Sequence, residues 1–191
     1  LKKINDFYSI INKTKHQVAT NSKIAFANLP KIYPIEEKSS RRISHYVHKN
    51  GTSSVKNHEP RFHSERDIKI FRMLTKDIKQ GTNKYSTTAS LIELYKEQTG
   101  KESKFHKYHV IKENKPSNTI PAHLYKDGLR HIHPDPDQAR TITVREAARI
   151  QSFDDDFEFL GSKGDQYKMI GNAVPPLFSK LIANTILKVE E

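Results

Sequence analysis

The chain has 191 residues and a mass of 22.1 kDa, room for one domain or for a core with a small appendage. It carries 33 Lys+Arg against 22 Asp+Glu, a net charge of +11, and no cysteine. The sequence therefore excludes disulfides, Cys-ligated zinc or iron–sulfur centres, and a cysteine nucleophile within this chain.

The first stretch, Leu1 to about Ser54, is polar, with loop signals at Ser40-Arg41-Arg42 and Gly51-Thr52-Ser53-Ser54, and little regular structure is expected there. It has no apolar run of signal-peptide type, and no later run approaches the ~18–20 apolar residues that span a bilayer. The chain is expected to be soluble and intracellular. It starts at Leu1 and its methionines are Met73 and Met169, a pattern that fits a fragment or a non-standard start.

Ser64 is an N-cap with Asp67 at N3, and Ile68, Phe71, Leu74 and Ile78 follow at helical spacing until Gly81 stops the run. Lys69, Arg72, Lys76 and Lys79 form a basic stripe on another face, read here as a solvated outer face. A second helix runs from about Ser86 to Gln98, closed by Gly100. Phe105 to Ile111 is strand-like, and Pro116-Ser117-Asn118 breaks it. Thr119 to Tyr125 reads as a strand, Lys126-Asp127-Gly128 as its turn and Leu129 to His133 as the return. Alternation places Thr119, His123 and Tyr125 on one face and Ile120, Ala122 and Leu124 on the other.

Pro134 to Asp137 is a loop. Thr143-Val144-Arg145-Glu146 is a capping box that opens a helix through Ala147, Ala148 and Ile150. Phe153 to Phe157 ends it. Gly164 to Ile170 allows a short helix stopped by Gly171. Pro175-Pro176 opens the last helix, whose apolar stripe is Leu177, Leu181, Ile182, Ile186 and Val189.

Charge divides the chain. Residues 121–191 hold 9 Lys+Arg and 11 Asp+Glu, so residues 1–120 hold 24 and 11. The whole basic excess lies in the first part. On charge alone, a polyanion-binding module and a surface kept basic for solubility are equally good readings.

Two stretches carry a resemblance: Arg140-Thr-Ile-Thr-Val-Arg-Glu-Ala-Ala-Arg-Ile-Gln-Ser-Phe153, and Gln166-Tyr-Lys-Met-Ile-Gly-Asn-Ala-Val-Pro-Pro176. In this order and spacing they resemble the last two conserved blocks of DNA cytosine-5 methyltransferases. Lys115 to Gly128 looks like the end of that family's target recognition region, with Thr119-Ile120 as its Thr-Leu-type dipeptide. Ile24 to Pro30 looks like the stretch that follows the catalytic half. One departure is Asp154, where the family usually has Pro.

The resemblance implies an α/β fold class: the C-terminal part of a Rossmann-like, S-adenosylmethionine-dependent methyltransferase with a small α+β target recognition domain. Residues 1–139 would be linker and recognition region, and residues 140–191 would complete the methyltransferase domain. In the family a cysteine thiolate attacks C6 of a flipped-out cytosine and S-adenosylmethionine gives its methyl group to C5. The Pro-Cys block and the Gly-rich cofactor loop are both missing here, so no catalytic residue is assigned in this chain. By resemblance Asn172, Ala173 and Val174 line the cofactor site, shared with an N-terminal catalytic half in the same longer chain or a separate subunit.

Thr119, His123, Lys126 and Arg130 are the expected contacts to double-stranded DNA. Arg140, Thr143, Arg145, Glu146 and Gly171 are expected to be structural, Glu146 because it stands at N3 of a capping box. His131-x-His133 with Asp135 has too few ligands for zinc, and its histidines are expected at the surface or facing DNA. No metal is assigned. The implied setting is a bacterial cytoplasm and a restriction-modification system; the alternative is a DNA-binding remnant without chemistry.

Overall fold

The computed structural model describes residues 1–14, 21–35, 46–48, 54–126 and 128–190. The loop signals at 40–42 and 51–53 and the turn residue Asp127 lie outside the described residues. In chain order come α1 (Lys2–Thr14), α2 (Ser22–Ala25), β1 (Ile32–Pro34), β2 (Tyr46–His48), α3 (Glu65–Gln80) and α4 (Thr88–Thr99). Two 3-10 turns, Ala122–Tyr125 and Gly128–Arg130, precede α5 (Val144–Ile150), α6 (Lys163–Asn172) and α7 (Pro176–Glu190). The sheet formed by the described residues is two-stranded and antiparallel, with Tyr33 opposite Val47.

The capped helices form where local chemistry asks for them. Ser64 accepts from the Asp67 amide at 3.2 Å, and α3 ends at Gly81 with φ 71°. Ile68, Phe71 and Leu74 are buried as the spacing predicts, and Ile70 is buried beside them, whereas Ile78 is half exposed. Asp77 turns inward. It accepts from the hydroxyl of Thr82 and the amides of Lys84 and Tyr85, which fixes the turn into α4. Burial alone would raise its pKa; those three bonds win and lower it.

The first 54 residues hold more regular structure than the sequence suggests. α1 packs along α7 and meets it at the Lys3–Glu190 ion pair, 3.2 Å. α2 packs on α5, where the Arg149 guanidinium donates to the Ala25 and Ala27 carbonyls at 3.2 and 2.6 Å. Such elements depend on distant partners, so their own residues carry little signal.

The predicted hairpin at 119–133 is replaced by the two 3-10 turns. Ile120 and Leu124 are both buried, as alternation also has them, so their burial does not distinguish a turn from a strand. Pro121 has no N–H for a ladder, and its carbonyl accepts instead from Leu124 at 3.0 Å. The strand-like 105–111 run pairs with the return segment directly: His109 N donates to Leu129 O, Ile132 N to His109 O and Ile111 N to Ile132 O, each 3.0 Å. The result is an isolated parallel bridge from Val110 to Ile132, and Ile132 bridges Thr141 on its other side.

Two apolar clusters result. One gathers Ile32, the inner face of α3, Leu94, Tyr108, Val110, Ile132 and Ala139. The other gathers Ile111, Ile120, Leu124, Ile142, Val144, Ala147, Ala148, Phe159, Tyr167 and Ile170. Residues from both sides of position 139 build the second cluster, whereas the first is built from residues up to Ala139.

Candidate nucleic-acid and cofactor interface

A buried ion pair anchors the 140–153 block. Arg140 is fully buried and Glu146 nearly so; the two guanidinium nitrogens donate to the two carboxylate oxygens, both at 2.7 Å. Burial alone would raise the Glu146 pKa, but the Arg140 charge and hydrogen bonds hold its carboxyl far below the usual range. The carboxylate also accepts from the Thr143 amide at 2.8 Å, while Thr143 Oγ1 accepts from the Glu146 amide at 3.1 Å, the reciprocal bonds of a capping box. Glu146 is thus saturated by structural partners and is not poised as a base.

The block reaches outward from there. His58 Nε2 lies 2.8 Å from Pro30 O, which can only accept, so the imidazole donates there and its Nδ1 takes the Thr143 hydroxyl proton at 3.0 Å. Gln138 Oε1 accepts from Arg140 at 2.6 Å and from the Ile32 amide at 3.1 Å, tying β1 to the block. Arg145, also fully buried, donates to the carbonyls of Lys56, Asp154 and Phe157 at 3.0, 2.9 and 2.6 Å. Asp154 thus serves this turn through a main-chain carbonyl, a group that Pro would supply equally well.

His131 and His133 are buried, not surface or DNA-facing. Their segment lies between the Val110 and Thr141 pairings, and that central position removes both rings from solvent. His131 Nε2 sits 3.2 Å from the Thr119 carbonyl. His133 Nδ1 accepts from the Asp135 amide at 3.1 Å, and burial pushes its pKa down to about 3, with the Arg140 charge adding to it. Among the described residues no group of three or more His, Cys, Asp or Glu could hold a metal ion.

Gly171 lies inside α6 rather than stopping a helix. A Cβ there would stand 2.5 Å from the Pro121 carbonyl carbon and 2.6 Å from Ala122 Cα. The glycine is required because the α6 backbone presses on the 3-10 turn. Arg61 holds the same turn from the other side, donating to Tyr125 O at 3.1 Å and Leu124 O at 2.6 Å, with its guanidinium 3.9 Å over the Tyr167 ring. Asn57, His58 and Arg61 lie in a polar stretch with no periodicity, and the sequence reading missed all three. The faint signal was Asn57, a residue type that tolerates the left-handed conformation found here, φ 61°.

The expected DNA contacts Thr119, His123, Lys126 and Arg130 are all exposed. His123 lies on the 3-10 turn and Lys126 caps it. The expected cofactor residues lie at the end of α6: Asn172, its last residue, and Val174 are exposed, and Ala173, half-buried, is the C-cap in extended conformation. Directly after them Pro175, Leu177 and Phe178 line a cleft of about 230 Å³ with Ile150, Ser152 and Ser117, whose buried hydroxyl has no hydrogen-bond partner.

The chain matches the family of C-5 cytosine-specific DNA methylases over residues 3–188, and it belongs to that family. It is 32% identical over 209 aligned positions to the type II methyltransferase M.Bpa9945I of Bacillus paralicheniformis, covering 98% of this chain and 45% of that protein. It is 34% identical over 149 positions to a type II methyltransferase of Haemophilus parahaemolyticus, 77% of this chain and 36% of that protein. A shorter match, 51% over 82 positions, links it to a putative type II methyltransferase of Oceanobacillus iheyensis, covering 43% of this chain and 17% of that protein. The chain thus spans less than half the length of these relatives. No solved structure matches it.

Proposed function

We propose that this chain is the C-terminal, target-recognition portion of a type II DNA cytosine-5 methyltransferase of a restriction-modification system. The carrying observation is that a chain matched to the methylase family over residues 3–188 contains no cysteine. The nucleophile must then come from outside these 191 residues, from a catalytic half in a longer chain or in a second subunit. The chain alone is inactive. Residues 1–139 supply linker and DNA recognition, and residues 140–191 complete the S-adenosylmethionine-dependent methyltransferase domain with its Rossmann-like sheet.

The residues present fit the cofactor. Asn172 offers an exposed amide that donates and accepts, Val174 an apolar wall, and the neighbouring cleft an unsatisfied Ser117 hydroxyl. When bound, S-adenosylmethionine supplies the methyl group. Asn172, Ala173 and Val174 bind and orient it, while Thr119, His123, Lys126 and Arg130 bind duplex DNA. Phosphate contact suits the basic excess of residues 1–120. Among the described residues no helix is long and apolar enough to cross a membrane. The cytoplasmic setting comes from the family reading.

The test is co-expression with a segment carrying the Gly-rich loop and Pro-Cys block, followed by bisulfite mapping. Methylated cytosines in one sequence context, found only when both parts are present, are expected. Methyl transfer by the purified chain alone would refute the reading.

A further inference from the structure

We propose that Lys168 of α6 and Lys126 form a paired phosphate-binding site around the Tyr125 ring, gripping the backbone of duplex DNA. The proposal rests on the reading that the chain contacts DNA, and adds to it a residue from the segment assigned to the cofactor. Lys168 Nζ lies 4.7 Å and Lys126 Nζ 5.4 Å from the centroid of the one ring. The two lysines come from different elements, brought together where α6 presses on the 3-10 turn.

Each ammonium lies near the same ring, and an exposed ring face contributes only about 0.5–1 kcal/mol to each. The nearest compensation is Asp165, 3.4 Å from Lys168 Nζ, but both side chains are about half exposed, so the pair contributes little. Among the described residues no carboxylate pairs with Lys126. A phosphate oxygen would give either ammonium the charged partner that the ring does not supply. The scaffold is already set: Arg61 fixes the Tyr125 and Leu124 carbonyls, and Gly171 seats α6 on the turn. Exposed His123 lies on the same turn, among residues expected to meet DNA. Lysine acts as a point charge on phosphate and reads no base, so the pair adds grip without sequence preference.

The experiment titrates the full chain into fluorescein-labelled duplexes of different sequence and reads anisotropy over a range of salt. Lys168→Ala is expected to weaken binding alike for every duplex and to make the slope of log K against log salt shallower by about 1. Lys126→Ala should do the same, and Lys168→Arg should restore the slope. Lys188→Ala, on exposed α7, is the control and leaves the slope unchanged. Unchanged melting temperatures show that the variants fold. A wild-type slope in Lys168→Ala, a loss confined to one duplex sequence, or no duplex binding by the wild-type chain overturns the site. If the altered slope is found but no cytosine is methylated in the co-expressed pair, the enzyme reading fails and the phosphate site stands.

Discussion

Glu146 holds Arg140 through two hydrogen bonds of 2.7 Å in a place where neither side chain meets solvent. The pair joins the start of the 140–153 block to the first turn of α5, and through Gln138 and His58 it reaches β1 and Pro30. Its strength lies in being complete: the carboxylate also caps Thr143.

Breaking that pair from one side should be severe. Arg140→Met leaves a buried carboxylate without its counter-charge, a loss of about 3–5 kcal/mol. The double variant Arg140→Met/Glu146→Leu removes both charges and should cost less than the sum of the two single changes. Urea unfolding of the wild type, both single variants and the double checks this.

Stability should fall steeply in mild acid. Burial pushes His133 down to about 3 and His63 down to about 4, against an ordinary value near 6.5. His63 Nε2 accepts from the Thr141 amide and His133 Nδ1 from the Asp135 amide, so neither nitrogen can take a proton without losing that bond. Below about pH 6.5 the unfolded chain binds protons that the folded chain refuses. The stabilisation is therefore complete above that pH and is lost as pH falls towards 4 and 3. Each imidazole contributes about 1.4 kcal/mol per pH unit over that window. Glu146, whose pKa is lowered by Arg140, acts in the same direction at lower pH. Denaturation midpoints at pH 7.5 and 5.0 test this; His63→Gln, which keeps an acceptor, should flatten the dependence.

Gly171→Ala should destabilise by about 1–3 kcal/mol, because the new methyl group meets backbone atoms of Pro121 and Ala122 that cannot rotate away. Melting temperature reads the loss. Ala substituted at the exposed helix position Lys168 is the comparison, and should leave it within about 0.5 kcal/mol.

α7 leaves apolar surface uncovered: Leu177 is 50% exposed, Phe178 41%, Ile186 49% and Leu187 63%. Such a patch favours association. The double variant Ile186→Lys/Leu187→Lys should lower light scattering on concentration and leave the unfolding midpoint nearly unchanged. In the proposed two-part enzyme it should weaken assembly with the catalytic half, measured as reduced methylation on co-expression.

How much was legible varies with the range of the interaction. Ser64 with Asp67, and Thr143 with Glu146, are contacts three residues apart, so both helix starts could be read directly. The alternation of Thr119 to Tyr125 was misleading: Pro121 closes a turn on Leu124, and 108–111 takes the partners a hairpin would have used. Gly171 could be recognised as special but not explained, since what it approaches lies 50 positions earlier in the chain. His131 and His133 looked like surface residues because polarity does not reveal a central pairing position.

The sequence by itself determined the capped helices, the two C-terminal blocks that carry the methylase resemblance, and the absence of a thiol nucleophile. These are local patterns or plain composition, and no folding is needed to see them. Only the tertiary structure decided that Glu146 is spent on Arg140 and Thr143, that four histidines are enclosed, and that Lys168 and Lys126 share one ring. Each of those depends on side chains brought together from distant parts of the chain, where desolvation and close backbone approach select the partner.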